Sequence, residues 1–141
     1  MILVDTNIIV DLWKNETDIA AEVFNKESVC ICGVVKSELM HGAYSEKNLE
    51  EISEKLSYIR EVDISGDEWD EFGRFLYKLR INGLTLPYAD ALIAFIAIKN
   101  NLSVMTRDKH FKLIQVVDAS FSRMLYSLKC LQAHKFPDGF F

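Results

Sequence analysis

Residues 91–98 form an unbroken run of apolar side chains, and this run limits what the chain can fold into. Pro87 lies where the first turn of a helix through residues 88–99 would begin, a position that suits proline because the N–H there has no partner. A helix that is apolar on almost every side has to be buried. As the longest apolar run, it is also far too short to cross a bilayer. We therefore predict a domain built around one buried helix, with no membrane association.

Short apolar and β-branched runs separate the predicted helices. We predict strands at residues 2–4, 29–32, 59–64 and 102–106, and a fifth at 115–117. We predict helices through residues 8–13, 17–24, 34–41, 48–58, 69–81 and 88–99, and a closing helix over 121–131. Strands that alternate with helices indicate a mostly parallel sheet that is covered on its faces. The predicted fold class is α/β, with a central sheet of four or five strands.

The length and the cysteines indicate a single intracellular domain. With 141 residues, 50% of them hydrophobic, the chain fits one domain over residues 1–141 and is not intrinsically disordered. Residues 131–141 form a tail to which we assign no role. An acid already stands at position 5, inside any leader segment, so we expect a cytoplasmic protein. Cys30 and Cys32 would face opposite sides of a strand, and the total of three is odd, so we expect reduced core thiols.

Charge is distributed unevenly along the chain. The net charge is −5, yet residues 1–98 hold 9 basic and 18 acidic side chains, whereas residues 99–141 hold 7 and 3. Overall acidity argues against a protein that binds nucleic acid by bulk attraction. It does not exclude a nuclease, because bound metal ions neutralise carboxylates. Four basic residues in the second part flank a motif described below and are candidates for holding the phosphates of a nucleic acid: Lys99, Arg107, Lys109 and Lys112.

Four carboxylates lie where such a sheet would place a ligand site, since ligands bind beyond the carboxyl ends of strands in open α/β sheets. Asp5 directly follows the first predicted strand, and Asp108 lies two residues past the fourth. Asp90 is in the first turn of the buried helix, where the helix dipole favours a negative charge. Glu38 lies one turn into the helix after the second strand, on an otherwise apolar segment.

Each acid also has a purely structural interpretation. Asp5 would serve as a helix cap, Asp90 as a favourable first-turn residue, and Asp108 as a turn residue. The structural interpretation needs a separate explanation for each acid, and all of these must be true at once. One metal site accounts for all four acids, Glu38 included. Without cations such acids would repel one another and become partly protonated. An all-oxygen set suits Mg²⁺ or Mn²⁺ rather than zinc, so we predict these four residues as catalytic metal ligands.

Four short motifs make the chain recognisable. In order, they are Val-Asp-Thr-Asn at 4–7, Ser-Glu-Leu at 37–39, Ala-Asp-Ala-Leu-Ile-Ala at 89–94, and Met-Thr-Arg-Asp-Lys-His-Phe at 105–111. In order and spacing they resemble the motifs of the PIN-domain ribonucleases, and above all the VapC-type toxins of toxin–antitoxin modules. The resemblance spans residues 1–117.

The resemblance implies a three-layer α/β/α fold and a metal-dependent endoribonuclease, with Mg²⁺ or Mn²⁺ as cofactor. It also implies a homodimer and inhibition by a small antitoxin that inserts a segment near the active site. The four acids match the family's metal-binding set, and Asn7 and Thr106 match the polar positions that support it. Two features depart from the pattern. His110 stands where many relatives have Asp, and the tail from residue 131 matches nothing in the family.

Other interpretations remain open at this point. Aspartyl-phosphate phosphatases also place an aspartate at the end of a first strand, although they commonly have a second acid two residues on, where this chain has Asn7. A non-catalytic PIN-like module would use the acids as a binding scaffold. We predict that the histidines, including His110, are surface or turn residues.

Overall fold

The computed structural model describes residues 1–15, 28–119, 121 and 125–126. Its strands are β1 (Ile2–Val4), β2 (Val29–Ile31), β3 (Arg60–Glu61), β4 (Ser103–Met105) and β5 (Leu125–Tyr126). They form one sheet in the order β3-β2-β1-β4-β5, and every neighbouring pair is parallel.

Helices flank this sheet and complete a three-layer α/β arrangement, which confirms the predicted fold class. They are α1 (Thr6–Asn15), α2 (Gly33–His41), α3 (Glu46–Ser57), α4 (Glu68–Ile81), α5 (Tyr88–Asn100) and a 3₁₀ helix (Lys109–Val116). In the described ranges, no helix has both the length and the apolar character that a membrane crossing requires.

Strand β1 is the centre of the sheet and the best buried part of it. It pairs with β2 on one side and β4 on the other, and all three of its residues are buried. Such a strand needs apolar side chains on both faces, which explains why it reads as a continuous apolar run. Because Val4 pairs with Met105, β1 and β4 end at the same level.

Helix α5 is the buried helix that the apolar run predicts. Every residue from 91 to 97 is buried, and Phe95 contacts the rings of Phe72 and Phe75. Pro87 precedes the first helical residue. Asn101 follows the last one and ends the helix with a left-handed backbone, φ 51°. The prediction is therefore confirmed at both ends.

The structure corrects three expectations. The third strand is only the exposed pair Arg60–Glu61 at the sheet edge. The strand predicted at 115–117 is wrong, because the segment is 3₁₀-helical up to Val116: the buried Phe111 and Ile114 are three residues apart, as the 3₁₀ repeat requires. The prediction of a closing helix over residues 121–131 is wrong for Leu125–Tyr126, because these two residues form the fifth strand and pair with β4.

Several sequence predictions fall on other parts of the chain. The helix predicted through residues 17–24 and the tail 131–141 lie outside the described residues. The extent of the domain over residues 1–141 therefore stays a prediction.

Cys30 and Cys32 are both fully buried and free, as predicted. Burial raises the pKa of the Cys32 thiol to about 11, because desolvation disfavours the thiolate. These two cysteines are therefore inert core residues rather than nucleophiles.

Candidate active site

The predicted site lies where the strand order of the sheet reverses. The chain runs outward from β1 through β2 to β3, and β4 then returns to the other side of β1. A crevice opens beyond the carboxyl ends of the strands at such a reversal. The backbone N–H of Asp5 donates to the carbonyl of Met105 at 3.0 Å, so the segments that leave β1 and β4 start side by side.

Asp5 is the one charged side chain that is buried among the described residues, with 6% of its surface exposed. Oδ1 accepts the backbone N–H of Thr6 at 2.7 Å. Oδ2 accepts the Asn7 amide at 3.1 Å and the Thr106 hydroxyl at 2.6 Å. Burial nevertheless raises the pKa of Asp5, and the charges of Glu38 and Asp108 raise it further. The carboxylate is fixed in place and is held among like charges.

Glu38 reaches the site from helix α2. Its carboxylate accepts a hydrogen bond from the hydroxyl of Thr6, the residue after Asp5, so α2 is tied to the start of α1. Glu38 is exposed, and its charge raises the pKa values of both Asp5 and Asp90. It therefore forms the solvent side of the acid cluster.

Asp90 enters from the first turn of α5, and its side chain is 15% exposed. Within the described part of the chain, its buried Oδ2 atom has no hydrogen-bond partner. Desolvation is the largest cause that raises the pKa of Asp90 to about 6, followed by the charges of Asp108 and Asp5. Burying a carboxylate oxygen without a hydrogen-bond partner costs free energy unless a bound ligand supplies the missing partner.

Asp108 and Thr106 connect the end of β4 to the acids. The backbone N–H of Asp108 donates to the Thr106 hydroxyl at 3.0 Å, and the same hydroxyl donates to Asp5. Asp108 then caps the 3₁₀ helix, because its Oδ1 accepts the backbone N–H of His110 at 2.8 Å. The Thr106 hydroxyl thus links two carboxylates that are far apart in sequence.

His110 is the residue whose part in the site the sequence analysis missed. It lies in a surface turn of the 3₁₀ helix, as predicted, but its Nδ1 is 3.0 Å from Asp108 Oδ1 and 3.8 Å from Asp90 Oδ2. One ligand atom from each of these three residues lies within 4.8 Å of the other two. The structure therefore groups Asp90, Asp108 and His110 most closely, while Asp5 and Glu38 lie near enough for their charges to raise the pKa of Asp90. Asn7 and Thr106 donate hydrogen bonds to Asp5.

The donor set fits a divalent cation. The four acids lie close enough for their charges to interact, the pKa values of the two best buried are raised, and one buried carboxylate oxygen has no hydrogen-bond partner within the ranges described above. A divalent cation would turn the repulsion among the carboxylates into attraction to the ion and would give that oxygen a partner. Carboxylate oxygens are the donors that Mg²⁺ and Mn²⁺ prefer.

The comparison with protein families decides the chain's membership. Residues 2–117, which include the four acids and His110, match the PIN domain family. This chain belongs to the PIN-domain family. No curated protein matches it.

Solved structures of similar PIN domains come from bacterial complexes. The domain is similar to VapBC2 from Rickettsia felis bound to a DNA fragment from its promoter, with 27% identity, a TM-score of 0.67, and coverage of 80% of this chain and 92% of that one. The domain is also similar to VapBC-1 from nontypeable Haemophilus influenzae, with 25% identity, a TM-score of 0.68, and coverage of 82% of this chain and 94% of that one. DNA-bound VapBC from Salmonella typhimurium has 26% identity and a TM-score of 0.69, and the match covers 79% of this chain and 89% of that one.

The basic residues of the PIN domain differ in position. Lys99 lies nine residues after Asp90, about 13 Å along the axis of α5, and pairs with Glu71 at 2.7 Å. Arg107 pairs with Asp11 at 2.6 Å and is half exposed. Lys109 and Lys112 are exposed on the 3₁₀ helix that also carries His110. Three of the four predicted cations therefore lie on the segment after β4 that also carries Asp108, whereas Lys99 lies at the opposite end of α5 from Asp90.

The Thr106 hydroxyl gives a direct test of the hydrogen-bonded frame. Replacing Thr106→Val keeps the side-chain shape but removes the donor to Asp5 and the acceptor for the Asp108 N–H. We expect the free energy of unfolding to fall by about 1–3 kcal/mol, because both groups lose a partner. Urea unfolding measures this loss. Thr106→Ser is the control, and a Val variant as stable as the Ser variant would contradict the assignment.

Proposed function

We propose that this PIN domain is a metal-dependent endoribonuclease that hydrolyses RNA phosphodiester bonds as the toxin of a toxin–antitoxin pair. The observation that carries the proposal is the buried Oδ2 of Asp90, which has no hydrogen-bond partner among the described residues and interacts with the charges of three other acids from separate segments. Family membership and the similarity to VapBC proteins support the same interpretation.

In this proposal the burial of each acid decides whether it binds the metal ion directly. Asp5 and Asp90, the two least exposed, hold Mg²⁺ or Mn²⁺ directly, and Glu38 and Asp108 complete its shell directly or through water. When bound, the cation supplies an activated water and stabilises the negative charge that develops on the phosphate. A cation in the crevice also turns an acidic pocket into one that accepts a phosphodiester.

Asn7 and Thr106 act as positioning residues. Each donates a hydrogen bond to Asp5 Oδ2, so this oxygen is oriented from both sides. Asn7 also accepts the backbone N–H of Arg107 at 3.4 Å, which ties the start of α1 to the segment after β4. The two residues thereby keep a buried carboxylate in one orientation while substrate enters and product leaves.

The experiment that tests this proposal is cleavage of mixed cellular RNA by the purified protein. We expect cuts in the presence of Mg²⁺ or Mn²⁺ and none after addition of EDTA. Absence of cleavage together with a trapped phospho-aspartate at position 5 would favour a phosphatase. Tight metal binding with neither activity would indicate a non-catalytic module.

Single-stranded RNA is expected to contact the exposed cations of the 3₁₀ helix. In an Asp90→Asn background, which prevents cleavage, Lys109→Gln and Lys112→Gln should each lower the salt dependence of RNA binding, by about 0.7 in the slope of log K against log salt. Lys99→Gln should leave the slope unchanged, because Lys99 is paired with Glu71. Fluorescence anisotropy at several salt concentrations gives the slopes, and an equal effect at Lys99 would contradict this arrangement.

A groove beside Glu38 is the docking place that we propose for the antitoxin. A groove of about 270 Å³ between α1, α2 and α3 runs past Glu38 and is lined by the apolar side chains of Val10, Trp13, Leu39 and Ile52. We propose that the inhibitory segment lies here, in a cytoplasmic complex that contains a homodimer of this chain. An antitoxin-like reading frame next to the gene, and co-purification of its product, would support this partner. Light scattering would give the oligomeric state.

A further inference from the structure

The imidazole of His110 faces the acids although its ring is half exposed. Its Nδ1 atom lies 3.0 Å from Asp108 Oδ1 and 3.8 Å from Asp90 Oδ2, the buried oxygen for which the described part of the chain provides no hydrogen-bond partner. No other imidazole in the described ranges belongs to such a group of potential metal ligands. One nitrogen therefore faces two carboxylates that come from different elements.

The backbone holds this ring in position. The N–H of His110 donates to Asp108 Oδ1 at 2.8 Å, and the next residue, Phe111, is fully buried and stacks with Phe121. The main chain at His110 is thus fixed on both sides, by the cap on one and by the core on the other. The fixed main chain limits the positions that the half-exposed ring can reach.

We infer that His110 is a nitrogen ligand of the metal ion in this site, which makes the site favour Mn²⁺ over Mg²⁺. The inference rests on the proposed metal-dependent function, and it replaces the all-oxygen donor set by a mixed one. Asp90, Asp108 and His110 would then share one ion.

Both distances and donor chemistry support this assignment. An octahedral ion with bonds of about 2.1 Å has neighbouring ligands about 3.0 Å apart and opposite ligands about 4.2 Å apart. The separation of 3.0 Å between Nδ1 and Asp108 Oδ1 matches neighbouring ligands, and the separation of 3.8 Å between Nδ1 and Asp90 Oδ2 lies between the two values, so a small rotation of the half-exposed ring would complete the set. Mg²⁺ is held through carboxylates, phosphates and water, whereas first-row transition metals also bind imidazole nitrogen, and Mn²⁺ is the one among them that equally suits carboxylate oxygens.

Pulsed electron paramagnetic resonance on the Mn²⁺-loaded protein tests the inference without an activity assay. We expect the nuclear modulation of a directly bound ¹⁴N in the wild type and its loss in His110→Asp. His41→Asn is the matched control, because His41 ends helix α2 and belongs to no group of potential ligands. That variant should keep the nitrogen signal.

Calorimetric titration with Mn²⁺ and with Mg²⁺ gives the second measurement. We expect the ratio of the two dissociation constants to shift toward Mg²⁺ by about tenfold in His110→Asp, whose site is all oxygen. Mn²⁺ binding without a nitrogen signal, or an unchanged ratio, would overturn the inference and leave the proposed nuclease intact. Failure of the wild type to bind either ion would overturn both.

Discussion

Asp90→Asn should abolish metal-dependent RNA cleavage and leave the protein at least as stable as the wild type. The amide keeps the shape of the side chain but removes the charge that a cation needs. Replacing outer-shell partners of a metal costs about 10–100-fold, so we expect a loss of at least a hundredfold here. The metal-free fold should gain stability, because the neutral amide relieves repulsion from Asp5 and Asp108.

The matched control is Asp70→Asn. Asp70 also lies in the first turn of a helix, α4, but it is exposed and pairs with Arg74 at 2.8 Å. If Asp90 were only a favourable first-turn residue, both variants would lose a similar, small amount of stability and keep their activity. Urea unfolding and an RNA cleavage assay separate the two cases. Full activity in Asp90→Asn would contradict the proposed site.

The metal-free protein should lose stability as the pH rises from about 4 to 6. The folded-state pKa of Asp90, about 6, is above its ordinary value of 3.8, so the folded chain binds the proton more tightly than the unfolded chain. Stability from this group is therefore complete below pH 3.8 and declines as the pH passes through 6. The total decline is on the order of 2–3 kcal/mol, at 1.36 kcal/mol per pH unit. Asp5 acts in the same direction.

Other carboxylates also titrate in this range, so the informative quantity is a difference. The free energy of unfolding of the wild type, minus that of Asp90→Asn, should become more negative between pH 4 and 7. The measurement is urea unfolding at four pH values in EDTA. A difference that does not depend on pH would mean that the Asp90 charge costs nothing in the fold.

Much of the fold is predictable because the central strands and the buried helix have continuous apolar runs in the sequence. The run at 91–98 can only be a buried helix, and the runs before Asp5 and Thr106 can only be buried strands. Once β1 and β4 are recognised as parallel neighbours, the residues that follow them must meet. Asp5 and Asp108 could be grouped for that reason before any side-chain position was known, whereas Glu38 and Asp90, which lie on helices, join them because one metal site accounts for all four acids.

The predictions fail where long-range packing decides. Nothing local distinguishes residues 115–117 from a strand, and the core contacts of Phe111 and Ile114 select the 3₁₀ helix. His110 is different, because a signal existed. An aspartate that caps a helix brings the residue two positions later back over its carboxylate. The partners of Lys99 come from α4, a helix that no pattern near residue 99 specifies.

The level pairing of β1 and β4 has a consequence for any attempt to re-engineer this domain. Asp5 and Thr106 meet because Val4 is opposite Met105. Deleting or inserting one residue in either strand would slide its end by about 3.3 Å and turn the following side chain to the other face of the sheet. Such a variant would keep every acid in its sequence and yet fail to bring Asp5 and Thr106 together.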